Sequence, residues 1–313
     1  MARRAGLYLI VTLVVVVVVG GQAQANAAGR PTLRYWDGPV VVTSTTHALF
    51  WEPPALQDGE ISQAGPRYDP LLTRFLRDVG DTGYYRIAGQ YYERRAHRRV
   101  AVGESSRFLG AYADKTSFPT APPACRGEVD CVSTDQVQAE ISRVMALQHW
   151  TAGPSDIVFV YLPPGEADCD PGTGTGRCSD ASTNAWCSSH YATGTGASTI
   201  LYAIVSYTSD GCLNVNPDGS QAPSPNRSVA ADAAVSSTAH ELMETVTDPL
   251  TDASGAGAGW TTNSGDEIAD LCDSAAFTPY GYDHGRANVE MHGHFYMVQP
   301  IWSNRAHRCT LGG

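Results

Sequence analysis

Ser237-Thr238-Ala239-His240-Glu241-Leu242-Met243-Glu244-Thr245-Val246-Thr247-Asp248-Pro249 is the stretch whose reading decides the fold and the site. From Ala230 to Val246 the chain is rich in Ala and free of Gly and Pro, which favours a helix. Thr247-Asp248-Pro249 ends it, because the residue before a proline avoids helical angles. On that helix His240 and Glu244 lie one turn apart on one face, so an imidazole and a carboxylate can reach one metal ion. Glu241 stands beside them, placed to polarise a water on that ion. The layout is that of the H-E-x-x-H zinc motif with Glu at the second His, and carboxylate oxygen is an accepted zinc ligand.

A catalytic zinc normally takes three protein ligands and keeps a fourth position open. Downstream, Gly265-Asp266-Glu267-Ile268-Ala269-Asp270-Leu271-Cys272 follows a Gly-rich connector, Gly255-Ala256-Gly257-Ala258-Gly259-Trp260, that can turn the chain back. Glu267 is the expected third ligand. Asp270 or Asp248 is expected to accept from the other nitrogen of His240. The competing reading is a solvated helix face. Three further acids, Asp248, Glu267 and Asp270, in otherwise weakly charged sequence favour a metal site. Zinc is the expected ion; Ca²⁺ fits less well, because it prefers all-oxygen coordination and His240 is a nitrogen donor.

The chain begins with Arg3-Arg4, an apolar run from Leu7 to Val19, and small residues around Ala23-Gln24-Ala25. That order predicts a secretory signal peptide over residues 1–25, too short in its apolar part to remain as a membrane anchor. Residues 26–313 then form a single domain of roughly 285 residues. The formal charge is −11, and losing Arg3 and Arg4 lowers it by two to −13. Such an acidic chain is a poor nucleic-acid binder. Its one basic run, Glu93-Arg94-Arg95-Ala96-His97-Arg98-Arg99, reads as an exposed loop or strand edge instead of a binding patch. Eight cysteines in an exported chain predict four disulfides. Sequence does not fix the connectivity. Near-neighbour pairing is the simplest expectation: Cys125–Cys131, Cys169–Cys178, Cys187–Cys212 and Cys272–Cys309. A four-cysteine zinc site lacks the paired C-x-x-C it needs.

Val40-Val41-Val42 and His47 to Trp51 read as strands. Asp69-Pro70 opens a helix whose apolar stripe is Leu71, Leu72, Phe75, Leu76 and Val79. Tyr84, Tyr85, Tyr91 and Tyr92 are expected to pack in the core and not to form a sugar platform. A second helix starts after Ser133, with Val137, Ile141, Val144, Met145 and Leu147 inside. Ile157 to Leu162 and Ile200 to Tyr207 suit central buried strands. The polar stretch 165–198 reads as a long loop, and His190 within it as a structural residue. His292 and His294 share a face if they lie on a strand, and Phe295 to Trp302 reads as a closing strand. The fold class expected is α+β, a mixed sheet with about three main helices.

Several of these segments, taken in order, resemble the EXORDIUM-like, phosphate-induced-protein family, and its bacterial members more than its plant ones. They are Asp37-Gly38-Pro39-Val40, Phe75 to Gly80, Trp186-Cys187…His190, His240-Glu241-x-x-Glu244…Thr247-Asp248-Pro249, Glu267 to Cys272, and Val298 to Asn304. The resemblance covers most of the mature chain. It implies a secreted, cell-wall-associated protein of one domain. The H-E-x-x-E segment also resembles a zincin active-site helix, which implies His240, Glu244 and Glu267 as ligands and Glu241 as base.

The function these readings predict is a secreted zinc-dependent hydrolase, a peptidase, acting as a monomer on a peptide or another extracellular, cell-wall substrate. Zinc would bring the pKa of a water to about 7 and Glu241 would take its proton. The rival is a non-catalytic extracellular module in which the same residues hold a structural metal, or none.

Overall fold

Strands buried on both faces read as unbroken apolar runs, and such runs form the centre of the sheet. The computed structural model of the protein describes residues 32–122, 125, 130–169, 178–179, 186–207, 212–250, 258–279 and 286–312. Its main strands are β1 (Ser44–Trp51), β2 (Ser106–Asp114), β3 (Asp156–Tyr161), β4 (Ser188–Thr193) and β5 (Ile200–Val205). They lie side by side in the order β2-β1-β3-β5-β4. The first four in that order run parallel, and β4 pairs antiparallel with β5 at the edge. Three α-helices are present among the described residues: α1 (Tyr68–Asp78), α2 (Thr134–Gln148) and α3 (Val229–Thr247). The expected mixed sheet with three helices is therefore present, and Pro31–Gly313 is one compact unit.

Alternation along the strands sorts their side chains onto two faces. Ala48 and Phe50 of β1, Phe159 and Tyr161 of β3, and Ala203 and Val205 of β5 pack with α1 and α3. Leu49 and Trp51, Val158 and Val160, and Tyr202 and Ile204 face the other way, onto Val137, Ile141, Val144 and Met145 of α2. A capping box between Ser133 and Gln136 starts α2. Leu147, expected inside α2, is half exposed at 51% because the helix turns that position outward. Helix α1 begins earlier than expected, at Tyr68, with Arg67 as its uncapped N-cap.

Val40-Val41-Val42 is not a strand. Its backbone groups bond to three different places, Glu93, Val246 and Gly103, so no single neighbour can align it. Pro300 divides the expected closing strand into His294–Tyr296 and Ile301–Ser303. The stretch read as a long loop contains Glu166–Cys169, which pairs with Asp130–Ser133, and the edge strand β4. Tyr84, Tyr85 and Tyr91 are buried, as expected of packing residues. All four near-neighbour cysteine pairs are at disulfide distance. No helix among the described residues is long and apolar enough to cross a membrane. The expected leader and residues 255–257 of the connector lie outside the described residues.

Candidate metal centre

Small side chains let α3 lie close against the sheet and α1, so nearly every one of its residues is buried. His240 is at the open side of the helix, with 17% of its side chain exposed, while Glu241 and Glu244 are buried. One turn separates His240 from Glu244, and His240 Nε2 lies 3.1 Å from Glu244 Oε1. The same oxygen faces the backbone N–H groups of Ala269 and Asp270, each at 3.3 Å. Those two bonds bring the returning chain against the helix. They place Asp270 Oδ1 3.6 Å from His240 Nε2. His240, Glu244 and Asp270 thus offer one nitrogen and two oxygens within metal-binding reach of one another.

The tautomer of His240 follows from its partner. Gln299 directs its amide nitrogen at two acceptors, Ala269 O at 2.7 Å and Asp273 Oδ1 at 3.1 Å. Its Oε1 therefore faces His240 Nδ1, at 3.1 Å, and accepts a hydrogen bond from it. In the neutral ring Nε2 then carries a lone pair aimed at two carboxylates. Only a proton or a cation between them makes that arrangement favourable. The donor set is one that could hold a metal ion.

A second histidine sits on the inner side. His190 is paired across the sheet with Ala203, which places its ring on the face covered by α3. Its Nε2 lies 3.2 Å from the carbonyl oxygen of Asp248, which can only accept, so Nε2 donates. Its Nδ1 lies 3.1 Å from Glu241 Oε2 and 3.7 Å from Glu244 Oε2. The buried His190–Glu241–Glu244 group could also hold a metal ion. Glu244 is common to both groups and turns one oxygen toward each histidine.

The charges are strongly interdependent. Burial opposes a charge on His240, but Glu244 and Asp270 outweigh it and hold the imidazole well above the ordinary histidine range. Burial opposes charge on His190 as well, and Glu267, Glu241 and Glu244 together push its pKa to about 10. Burial raises the carboxyls of Glu244 and Glu267. Asp270 is also penalised by burial, yet its bonds to His240 and to the Glu267 N–H leave it below the usual value. These residues line a cleft of about 200 Å³. A larger one, about 540 Å³, meets it at His240 and Asp270 and runs past Trp186, Asn214 and Phe277.

Of the residues expected from sequence, the structure brings His240 and Glu244 together with Asp270. Glu267 takes a different place. Its N–H donates to Asp270 Oδ2 at 2.8 Å, and its side chain turns inward, with Oε1 3.6 Å from His190 Nε2. The acceptor for the second nitrogen of His240 is Gln299, not Asp248 or Asp270. Asp248 instead accepts from Gly259 N at 2.7 Å through Oδ1. Neither His190 nor Gln299 is expected at the site from sequence. The sequence signals for His190 are its place in the Trp186-Cys187…His190 segment and in a short Ser/Tyr/Thr stretch just before a central strand. His292 and His294 do not form a pair: His292 lies in the turn and His294 starts the returning strand, and His292 bonds Gly80 O while His294 bonds Asp78. Comparison with protein families, curated proteins and solved structures finds no match to this chain.

Proposed function

We propose that the chain is a secreted metal-dependent hydrolase, a peptidase, whose cation is zinc held by His240, Glu244 and Asp270. The observation that supports this best is the convergence of those three donors at the junction of two clefts, with His240 and Asp270 partly exposed. A catalytic site needs such an open side for water and substrate. The cation, when bound, would supply Lewis acidity and make a water acidic near neutral pH. Gln299 holds the His240 ring in its ligating orientation. Glu241 accepts the proton of the attacking water, and His190, anchored on the Asp248 carbonyl, fixes the Glu241 carboxylate. The four disulfides and the family resemblance support export.

A second reading has a specific observation behind it. The His190–Glu241–Glu244 group is wholly buried, which suits a structural ion in a non-catalytic extracellular module. Glu241→Gln separates the two. The hydrolase reading expects zinc content to stay and cleavage of a mixed peptide library to stop. Loss of the metal together with a fall in melting temperature supports the structural reading. Continued cleavage by the Glu241→Gln variant sinks the proposed mechanism.

A further inference from the structure

A second surface uses none of the side chains of this site. Three segments are tied together by hydrogen bonds. Arg94 N donates to Tyr35 Oη at 3.0 Å, linking the hairpin Tyr92–Arg95/Arg98–Ala101 to the Arg34–Tyr35 strand. Asn304 exchanges bonds with both backbone groups of Leu33, at 3.1 and 2.8 Å. Arg305 N donates to Gln90 at 2.7 Å. Residues 33–37, 92–101 and 303–310 together carry seven arginines, no lysine and two acids, Asp37 and Glu93. The whole chain has 21 basic residues against 32 acidic ones, so this local excess runs against its overall charge. Glu93 is buried and already occupied by Val40 N and Arg95. Arg34, Arg94, Arg98, Arg99, Arg305 and Arg308 are all exposed.

The hairpin is built at a cost. Arg94 is directly opposite Arg99, and Arg95 opposite Arg98. Like charges facing each other across strands destabilise a hairpin. Its turn holds Ala96 at φ 45° and His97 at φ 66°, a region that favours Gly or Asn over residues with ordinary side chains. Arg99 stacks over the Tyr92 ring and Arg95 pairs with Glu93, which offsets part of that repulsion, and the positive φ angles are those a two-residue hairpin turn requires; the exposed tip still carries four arginines.

We propose that this surface binds a polyanionic glycan. Guanidinium groups pair in two-pronged fashion with carboxylate, sulfate or phosphate. Their spread over three segments suits a repeating polymer better than one small anion. Trp36, two residues from Arg34 in sequence, is 42% exposed, and an exposed indole is a group that sugars stack on. Disulfide pairing favours an oxidising compartment, where the polyanions at hand are glycans and not nucleic acid.

The test uses the full chain with its disulfides intact, heparin as the probe, and double-stranded DNA as the comparator. Heparin is expected to bind at low salt and release at 1 M salt, where charges are screened within about 3 Å. The triple variant Arg94→Ser/Arg98→Ser/Arg99→Ser is expected to bind heparin at least tenfold more weakly while melting no lower than the parent. Arg305→Ser/Arg308→Ser, on a different segment, provides an independent arm with the same direction of effect should the triple variant misfold. No heparin binding at low salt, unchanged binding in folded variants, or tighter binding of DNA than of heparin each overturns the proposal.

Discussion

His240 donates from Nδ1 to Oε1 of Gln299 across 3.1 Å, and that single bond decides which way the imidazole presents its other nitrogen. Gln299 can act so because Ala269 O and Asp273 fix its amide. Replacing it with Met keeps the bulk and removes the acceptor. Gln299→Met is expected to weaken zinc binding by about 10- to 100-fold, the usual cost of losing a partner behind a metal-bound histidine. Competition against a chromogenic chelator measures it, with circular dichroism confirming that the fold is kept.

Asp270 and Glu267 sit three residues apart and make opposite predictions. Asp270 Oδ1 approaches His240 Nε2, whereas Glu267 Oε1 approaches His190. Asp270→Asn is therefore expected to lower zinc content well below that of the parent. Glu267→Gln, which leaves the outer group intact, is expected to retain it. Elemental analysis of both purified variants decides the point; the reverse result would restore Glu267 as third ligand.

What was legible in the sequence follows physical lines. The α3 helix, its stop at Pro249 and the His240–Glu244 pairing are local consequences of helical spacing, so they could be read directly. The central strands β3 and β5 were legible because burial on both faces leaves unbroken apolar runs. His190 was not, because β4 is an edge strand with a mixed pattern, and its relation to α3 depends on the His190–Ala203 register. Gln299 was hidden for a similar reason. It is 59 residues from His240 and meets it only through the tertiary fold. The approach of Asp270 to His240 depends on two backbone bonds to Glu244, which no spacing rule encodes.

Asp69 gives a pH dependence that is independent of any metal. Burial and the neighbouring Glu52 push its pKa up to about 7. Its unfolded value is about 3.9, so ionising it works against the folded state. The stability it contributes is complete below about pH 4 and is lost as pH rises through about 7. Asp69→Asn is thus expected to be more stable than the parent at pH 8 and to lose that advantage at pH 4. The gain should be modest, on the order of a few tenths to 1 kcal/mol, because the group is partly solvated and Lys115 offsets some of the repulsion. Urea titrations at the two pH values measure it.

The Cys272–Cys309 bridge supports the site as well as the fold. It closes a separation of 37 residues and anchors the short Asp270–Cys272 turn to the C-terminal strand. Cys309 also lies near the Leu271 carbonyl, at 3.6 Å, and Trp302 N donates to Ile268 O at 3.0 Å, so the whole segment leans on this strand. Loop-closure entropy puts the stabilisation at about 3–4 kcal/mol. Cys272→Ser/Cys309→Ser should lose about that much and also bind zinc more weakly, because Asp270 is no longer held against Glu244. The Cys125–Cys131 bridge closes a separation of only 6 residues, away from the centre. Its double Ser variant should lose less, about 2 kcal/mol, and leave zinc affinity unchanged. Urea unfolding with and without metal reads both quantities, and equal effects of the two pairs on zinc would show that the bridge does not position Asp270.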